Sequence, residues 1–543
     1  MQAHWRRRII GGLLWLPFLA LTCVPVAWLV VRSLFPGGHF DAGPYLRLFA
    51  ATDLRVLWNS VQLGLLVVLA TAAVGVPYGF LIRRTDLRGA RFYELLAITP
   101  LLLPPYMEGL AWVQVVPLHG RFACVFILAS VLFPVTALLS ARAFGEIDAD
   151  VEDAARLSLG EGRALRRVTL PLAMAGVGAA ALLTFVFAVS DFVVTDFFSF
   201  AGQGSETFQV GATKAYGEFA RQLDPVAATA TVVPLVLVGL AGLLLLARLE
   251  SRRERTSLGG SHAEPRPFRL GKTQPVAHAF LVALLGITIG VPAFQIGKLA
   301  LRRHVQPPVA PTNPAAQLAR GTVDVSVYAA EDPVKVALRR HVPDLGNSFR
   351  IAGGATLLLL LAAFGPARAL SRARRAPFAQ RALVLLPLAF PGLMVGMGVE
   401  QLFVHAPDRV YRGWGLVSLA LASRYLPLAV LTLRASWVRI APEIEQAAEL
   451  AVPGAVRRFT VVTLPLLLPG ALAAGVLGFT LCLREFDSIV LLFGAQEMLT
   501  TRIYNLVHWA QDAVVGALCL LQMAAVFVVW ATARLLFGRA PRV

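Results

Sequence analysis

The chain has 543 residues, 57% of them hydrophobic and only 15% charged, with a mean hydropathy of +0.68. Soluble domains carry about 25% charged residues, so the composition excludes an ordinary soluble enzyme. A formal charge of +18 would suggest nucleic acid in a soluble chain; in one this apolar it points to the positive-inside rule, which gathers Lys and Arg in cytoplasmic loops.

The N-terminal run MQAHWRRRIIGGLLWLPFLALTCVPVAWLVV is longer than a signal-peptide core and carries no small-residue cleavage site, so it reads as a retained first helix. Hydropathy predicts spans near 9–32, 57–82, 92–116, 122–141, 172–195, 226–247, 276–299, 347–366, 382–404, 414–433, 465–483 and 512–536. At about 20 residues each, twelve spans use about 240 residues and leave about 300 for loops. Basic residues gather in Arg6–Arg8, Arg83–Arg91, Arg142–Arg167, Arg248–Lys272, Arg368–Arg381, Arg434–Arg458 and Arg534–Arg542. If these lie inside, both termini are cytoplasmic. Cys23, Cys124, Cys482 and Cys519 each sit in an apolar run without a CxxC partner, which predicts membrane-core residues rather than disulfides or a zinc site.

The stretch from Arg248 to Pro275 is polar and rich in Gly and Pro, and it divides the chain into a first domain over 1–255, a linker over 256–275 and a second domain over 276–543. It contains Gly271-Lys272-Thr273, the tail of a phosphate-binding loop, but Arg266 stands where that motif needs glycine and no strand precedes it. An ATPase within this chain is therefore not expected.

The two halves repeat each other. Asn59-Ser60 opens the second span and Asn347-Ser348 the eighth; Pro104-Pro105 in the third matches Pro391-Gly392 in the ninth. The clearest match is between two loops, over about 146–171 and 442–465, which both carry acidic residues, an Ala-Ala pair, a turn and a basic stretch ending Val-Thr-Leu-Pro. Acids at a helix start and Arg near its end suit the helix dipole, adjacent alanines permit close docking, and the proline suits the first turn of the next helix. Six spans per half give both halves the same orientation, a parallel repeat about an axis along the membrane normal.

These loops resemble the EAA loop of binding-protein-dependent ABC importer permeases: Glu-Ala-Ala, three residues, Gly, a basic and apolar stretch, then Leu-Pro. In the first copy Asp153 stands at the Glu position and Gly160 comes one residue late; in the second Gln446 takes the Glu position and Val452 the Gly position, with Pro453-Gly454 beside it to form the turn. The resemblance covers both halves. TDLRGARFYELLAITPLLLPPYMEGLAW, the SDF of Ser190–Phe192 and the TRIY of Thr501–Tyr504 look most like the fused permeases of ferric-iron importers, with thiamine, polyamine and phosphonate permeases as relatives.

The resemblance implies an all-α polytopic membrane protein with the type I ABC importer permease fold, built as two parallel six-helix repeats in a bacterial inner membrane. It implies a pore subunit without catalytic residues, cofactor or resident metal. Its partners would be two cytoplasmic ABC ATPase subunits, a periplasmic solute-binding protein and the lipid bilayer, with no nucleic acid. Glu152, Asp153, Ala154, Ala155 and Gly160, with Glu445, Ala447, Ala448 and Gly454, become the ATPase-docking residues. A twelve-helix secondary transporter is the alternative class, but it has no need of duplicated Ala-Ala-to-Leu-Pro loops.

Ionisable groups within spans are expensive and are functional candidates by default. Aligning the halves on Leu-Pro sets Asp191 opposite Glu485, each followed by Phe, late in a span. They fit either a translocation path or a structural role, since Arg484 adjoins Glu485. Glu108 and Glu400, one in each half, are further path candidates that do not align with each other. Scattered histidines (His39, His119, His405, His508) read as solvated. The outer loop over 301–346, Pro-rich at first with a short amphipathic helix expected after Asp332, is a candidate docking element for the binding protein or a passive cover.

Overall fold

The computed structural model describes residues 14–116, 119–199, 208–256, 266–302, 332–372, 378–492, 497–507 and 512–537. The basic run Arg6–Arg8, the Pro-rich part of the 301–346 loop and His508 lie outside the described residues.

In chain order the helices are α1 (Leu16–Thr22), α2 (Val24–Leu34), α3 (Ala51–Arg84), α4 (Ala90–Leu101), α5 (Pro105–Val113), α6 (Gly120–Gly145), α7 (Ala149–Leu159), α8 (Glu161–Ser190), α9 (Val193–Ser199), α10 (Gly211–Tyr216), α11 (Pro225–Thr256) and α12 (Gly271–Ala300). They continue as α13 (Pro333–Arg340), α14 (Val342–Arg372), α15 (Phe378–Ala389), α16 (Gly392–Phe403), α17 (Trp414–Val438), α18 (Pro442–Ala451), α19 (Ala455–Arg484), α20 (Leu499–Val507) and α21 (Asp512–Phe537). Among the described residues nine helices are long and apolar enough to cross a membrane, and three bent pairs bring the number to twelve. All twelve fall on the runs that hydropathy marks. The cysteines are free, three of them buried. Asp332 caps α13 by accepting from Val334 N and Lys335 N, which is the short helix expected there.

The α1–α2 span bends by 47°, and two others turn almost at right angles. Between α4 and α5 the chain turns by 88°, and between α15 and α16 by 89°. The cause is proline, which disfavours helical geometry in the residue before it: Leu103 and Phe390 are extended, with ψ of 140° and 119°. Pro105 then suits the first turn of the next helix, where its missing N–H costs nothing.

The chain packs as two compact units, one of Gly43–Arg302 and one of Met1–Ala42 with Arg303–Val543. This differs from the sequence-order division at the central linker by one span at each end. In the second unit Ser423 Oγ, on α17, donates to Leu21 O of α1, and Gly398 of α16 lies against the backbone of Pro25 in α2. In the first unit α12 packs on α4, where Tyr93 OH and His278 Nδ1 are 2.8 Å apart, and Leu281 enters a core with Tyr78 and Phe133. The first unit also holds the end of the linker. Its Gly271-Lys272-Thr273 forms the opening turn of α12, with Thr273 Oγ1 on Leu270 O at 2.8 Å.

Between α3 and α6 the helices approach closely because Gly75 and Gly79 lie one turn apart on the contact face. Small residues at that spacing let helix backbones meet where no hydrophobic effect drives association. A Cβ on Gly79 would lie 2.4 Å from Ala137 O, whereas one on Gly178 in α8 would meet nothing within 4 Å. Overpacking of this kind costs about 1–3 kcal/mol. Gly79→Ala should therefore lower the melting temperature of the purified protein, and Gly178→Ala should leave it unchanged.

Candidate functional site

The two Ala-Ala loops fold alike. In the first, Asp148 Oδ1 accepts from Asp150 N at 2.9 Å to start α7, and Asp150 and Glu152 lie in the first turn, where the helix dipole favours negative charge. In the second, Pro442 opens α18 with Glu443 and Glu445 in its first turn. Gly160 ends the first helix at φ +81° and Gly454 follows the second at φ +87°. Val452, at the position where the motif has glycine, keeps φ −121°. Gly454 thus makes the turn that Gly160 makes, since a residue without Cβ enters that region at no steric cost. A wide π-type turn follows in both loops, Leu165–Thr169 and Phe459–Thr463, and leads into Leu-Pro and the next span.

An ion pair holds each loop to its unit. Glu152 is paired with Arg84, the last residue of α3; Arg156 approaches Glu152 Oε1 at 3.3 Å and Thr169 Oγ1 donates to it at 2.8 Å. Glu445 is paired with Arg372, the last residue of α14, at 2.9 Å; Trp437 Nε1 donates to it at 3.0 Å and Arg368 lies 3.8 Å away. The two pairs occupy matching positions in the repeat but differ in depth. The Arg84 and Glu152 side chains are 2% and 0% exposed, those of Arg372 and Glu445 23% and 19%. Burial alone would raise the Glu445 carboxyl, but the bonds from Arg372 and Trp437 and the charges of Arg372 and Arg368 outweigh it and hold the group below the usual value.

These pairs decide which way each helix faces. Glu152, Ala155 and Ala448 are buried against their own unit, and Glu445 and Asp153 are half-buried, the latter 3.7 Å from Arg266. They anchor the loops and offer little outer surface. The outward faces are Val151, Ala154 and Leu157 on α7, and Ile444, Ala447 and Leu450 on α18. Leu157 and Leu450 are 90% and 92% exposed. Each trio repeats every third residue, which places it on one side of a helix. The sequence motif draws attention to the alanines and passes over these leucines, although their spacing was there to be read.

The four acids considered for a path are buried within their units. Asp191 follows α8, and its Oδ1 accepts from Val194 N at 2.9 Å to start α9. Glu485 follows α19, and its Oε1 accepts from Ser488 N at 3.1 Å and Ser488 Oγ at 2.7 Å, while Tyr425 OH donates to Oε2. Glu108 lies on α5 after the bend, and Glu400 on α16 accepts from Tyr411 OH at 2.7 Å. Beside the first two, Phe192 stacks on Tyr216 at 4.4 Å and Phe486 on Tyr504 at 4.3 Å. Ser60 Oγ accepts from Gly211 N and Ser348 Oγ from Leu499 N, both at 2.8 Å and both across 151 residues. The TRIY of Thr501–Tyr504 therefore has a partner, Thr213-Lys214-Ala215-Tyr216, that a search for identical residues misses.

Comparison with known proteins finds permeases. The family described as binding-protein-dependent transport system inner membrane component matches residues 5–255. A probable molybdenum ABC transporter permease protein of Haloferax volcanii is 33% identical over 213 residues, 36% of this chain and 79% of the relative. This chain belongs to that permease family. An Fe(3+)-transport system permease protein of Haemophilus influenzae (FbpB 2) is 23% identical over 480 residues, 87% of each chain. A sulfate transport system permease protein of Salmonella typhimurium is 28% identical over 123 residues, 21% of this chain and 44% of the relative. The protein is thus a fused two-domain permease with the type I ABC importer fold, a multi-pass inner-membrane protein whose relatives are transporters and not enzymes.

Removing one partner of a buried ion pair costs about 3–5 kcal/mol, and a solvent-screened pair costs less. Hydrogen exchange should therefore quicken across α7 in Arg84→Gln, and across α18 to a smaller degree in Arg372→Gln. Because the Glu445 carboxyl is held down in the folded state, its contribution is complete above the ordinary pKa of about 4.3 and is lost as pH falls through the lower folded value. Acidification through that range should lower the protection factors of α18, measured against intrinsic exchange at each pH, and Glu445→Gln should remove that pH dependence of protection.

Proposed function

We propose that this permease is the pore subunit of an ATP-driven importer, with both termini cytoplasmic, and that two ABC ATPase subunits seat on the Val151-Ala154-Leu157 and Ile444-Ala447-Leu450 faces. The single observation that carries the reading is that both loops present the same apolar stripe outward while tying their acidic side to a membrane span. Contiguous exposed apolar surface rimmed by polar residues marks interaction sites, and the basic loops support the cytoplasmic side for it. A periplasmic binding protein delivers solute at the other end. Closure of the ATPase pair on ATP moves the two helices, and the Arg84–Glu152 and Arg372–Glu445 pairs pass that movement to α3 and α14. If ATP favours the outward-facing state, whatever stabilises that state also tightens ATP binding.

The solute in this reading is ferric iron, on the strength of a relative that spans both halves. Relatives named for molybdenum and sulfate make an oxyanion the competing cargo, and they match much shorter stretches. Asp191 and Glu485 are proposed to border the path by capping the breaks after α8 and α19, with Glu108 and Glu400 deeper in each unit.

Leu157→Glu and Leu450→Glu should each release the partner ATPase on co-purification without lowering the permease's melting temperature; full retention by the double variant removes the docking reading. For the cargo, titration of the cognate binding protein with ferric ion, molybdate, sulfate, thiamine, polyamines and phosphonates should give tightest binding with ferric ion.

A further inference from the structure

The linker that joins the halves does not leave the first unit as a free tether. Its last residues lie along the end of α3 and beside the first loop. Phe268 N donates to Arg84 O at 2.7 Å and Asp86 N donates to Phe268 O at 3.1 Å, one rung of a parallel bridge between Thr85 and Phe268. Asp86 then accepts from Leu270 N at 2.8 Å, and its carbonyl accepts from Gln274 Nε2 at 3.1 Å. The Phe268 ring is buried between two guanidiniums, that of Arg156 on α7 at 4.0 Å and that of Arg84 at 5.8 Å. Arg156 also donates to Arg266 O at 2.7 Å, and Arg266 faces Asp153.

We propose that residues 266–273 are a strap that positions α7, making the first ATPase-docking helix a stiffer lever than the second, and that Phe268 is its central positioning residue. This rests on the docking reading above. The chemistry is specific. Phe268 covers the charges that pair with Glu152, excluding water from an ion pair that then acts at low dielectric. Cation–π contact to two arginines adds attraction where the pair is desolvated. The second loop is held differently, by Trp437 of the preceding span, and its ion pair stays part-exposed. The strap continues directly into α12, so α7, the end of α3 and the start of α12 move as one body. An importer fused in this way loads its two ATPase contacts unequally even when the ATPases are identical.

The test uses the full permease purified with its ATPase and reconstituted in liposomes with the binding protein. Phe268→Ala opens the strap, and Asp86→Ala, which removes the acceptor for Leu270 N, is a second and milder opening. The expected result is ATPase co-purification at the wild-type level and solute transported per ATP hydrolysed lowered by about threefold or more, the size of effect residues on a coupling route produce. Hydrogen exchange should quicken across 149–159 and stay unchanged across 442–451. Wild-type transport per ATP in both variants overturns the proposal, as does equal loosening of both docking helices. If Phe268→Ala fails to assemble, wild-type coupling in Asp86→Ala overturns it. A wild-type permease that captures no ATPase overturns the docking reading itself, which is a separate outcome.

Discussion

An arginine at the end of a long helix, paired with a glutamate on the loop two spans later, is the constraint around which each half is arranged. An uncompensated charge at the depth of Glu152 is far too costly to tolerate, so Arg84 and α7 cannot part without a large penalty. That fixes which side of α7 faces inward, and so leaves the Val151-Ala154-Leu157 side out. The same reasoning applies to Glu445 and Arg372 with a smaller penalty, because water reaches both side chains.

The helices that carry these arginines are tied at their other ends too. Ser60 in α3 and Ser348 in α14 each accept the first backbone N–H of a short helix whose tyrosine stacks on the phenylalanine after the break in the neighbouring span. From Ser60 to Arg84 a helix rises roughly 36 Å at 1.5 Å per residue, enough to cross a bilayer core of about 30 Å. One rigid element in each half therefore connects the Ala-Ala loop to the acid-capped break at the far side. Asp191 and Glu485 differ in length by one methylene, and each meets the need in its own way: Asp191 bonds the backbone of Val194, Glu485 the backbone and hydroxyl of Ser488 together with Tyr425.

Much of this was legible in the amino-acid order, for identifiable reasons. Spans show because lipid demands long apolar runs, and the repeat shows where both halves carry the same residues, as at Asn59-Ser60 and Leu170-Pro171. The bends after Leu103 and Phe390 were signalled by Pro104 and Pro391, yet hydropathy averages over a bend. Which alanine of each pair faces out was hidden, because it depends on Arg84 and Arg372, far away in sequence. Gly454 could be read as the turn of the second loop because Pro453-Gly454 stands beside the displaced Val452, and its φ of +87° agrees. The strap was unreadable because its binding groove is made by residues of α3 and α7, and a polar linker carries no periodicity to announce a buried phenylalanine.

The exchange of first spans has a consequence for how the protein is made. Residues 43–302 form a continuous stretch that has all its packing partners once the ribosome has passed α12. Helices α1 and α2 precede that stretch, yet their partners α16 and α17 lie hundreds of residues downstream. Chains fold during synthesis with N-terminal units first, so here the bent span α1–α2 must wait in the bilayer, unpacked, through the synthesis of an entire unit. Separating the halves into two polypeptides at the central linker would strand that span on the wrong chain.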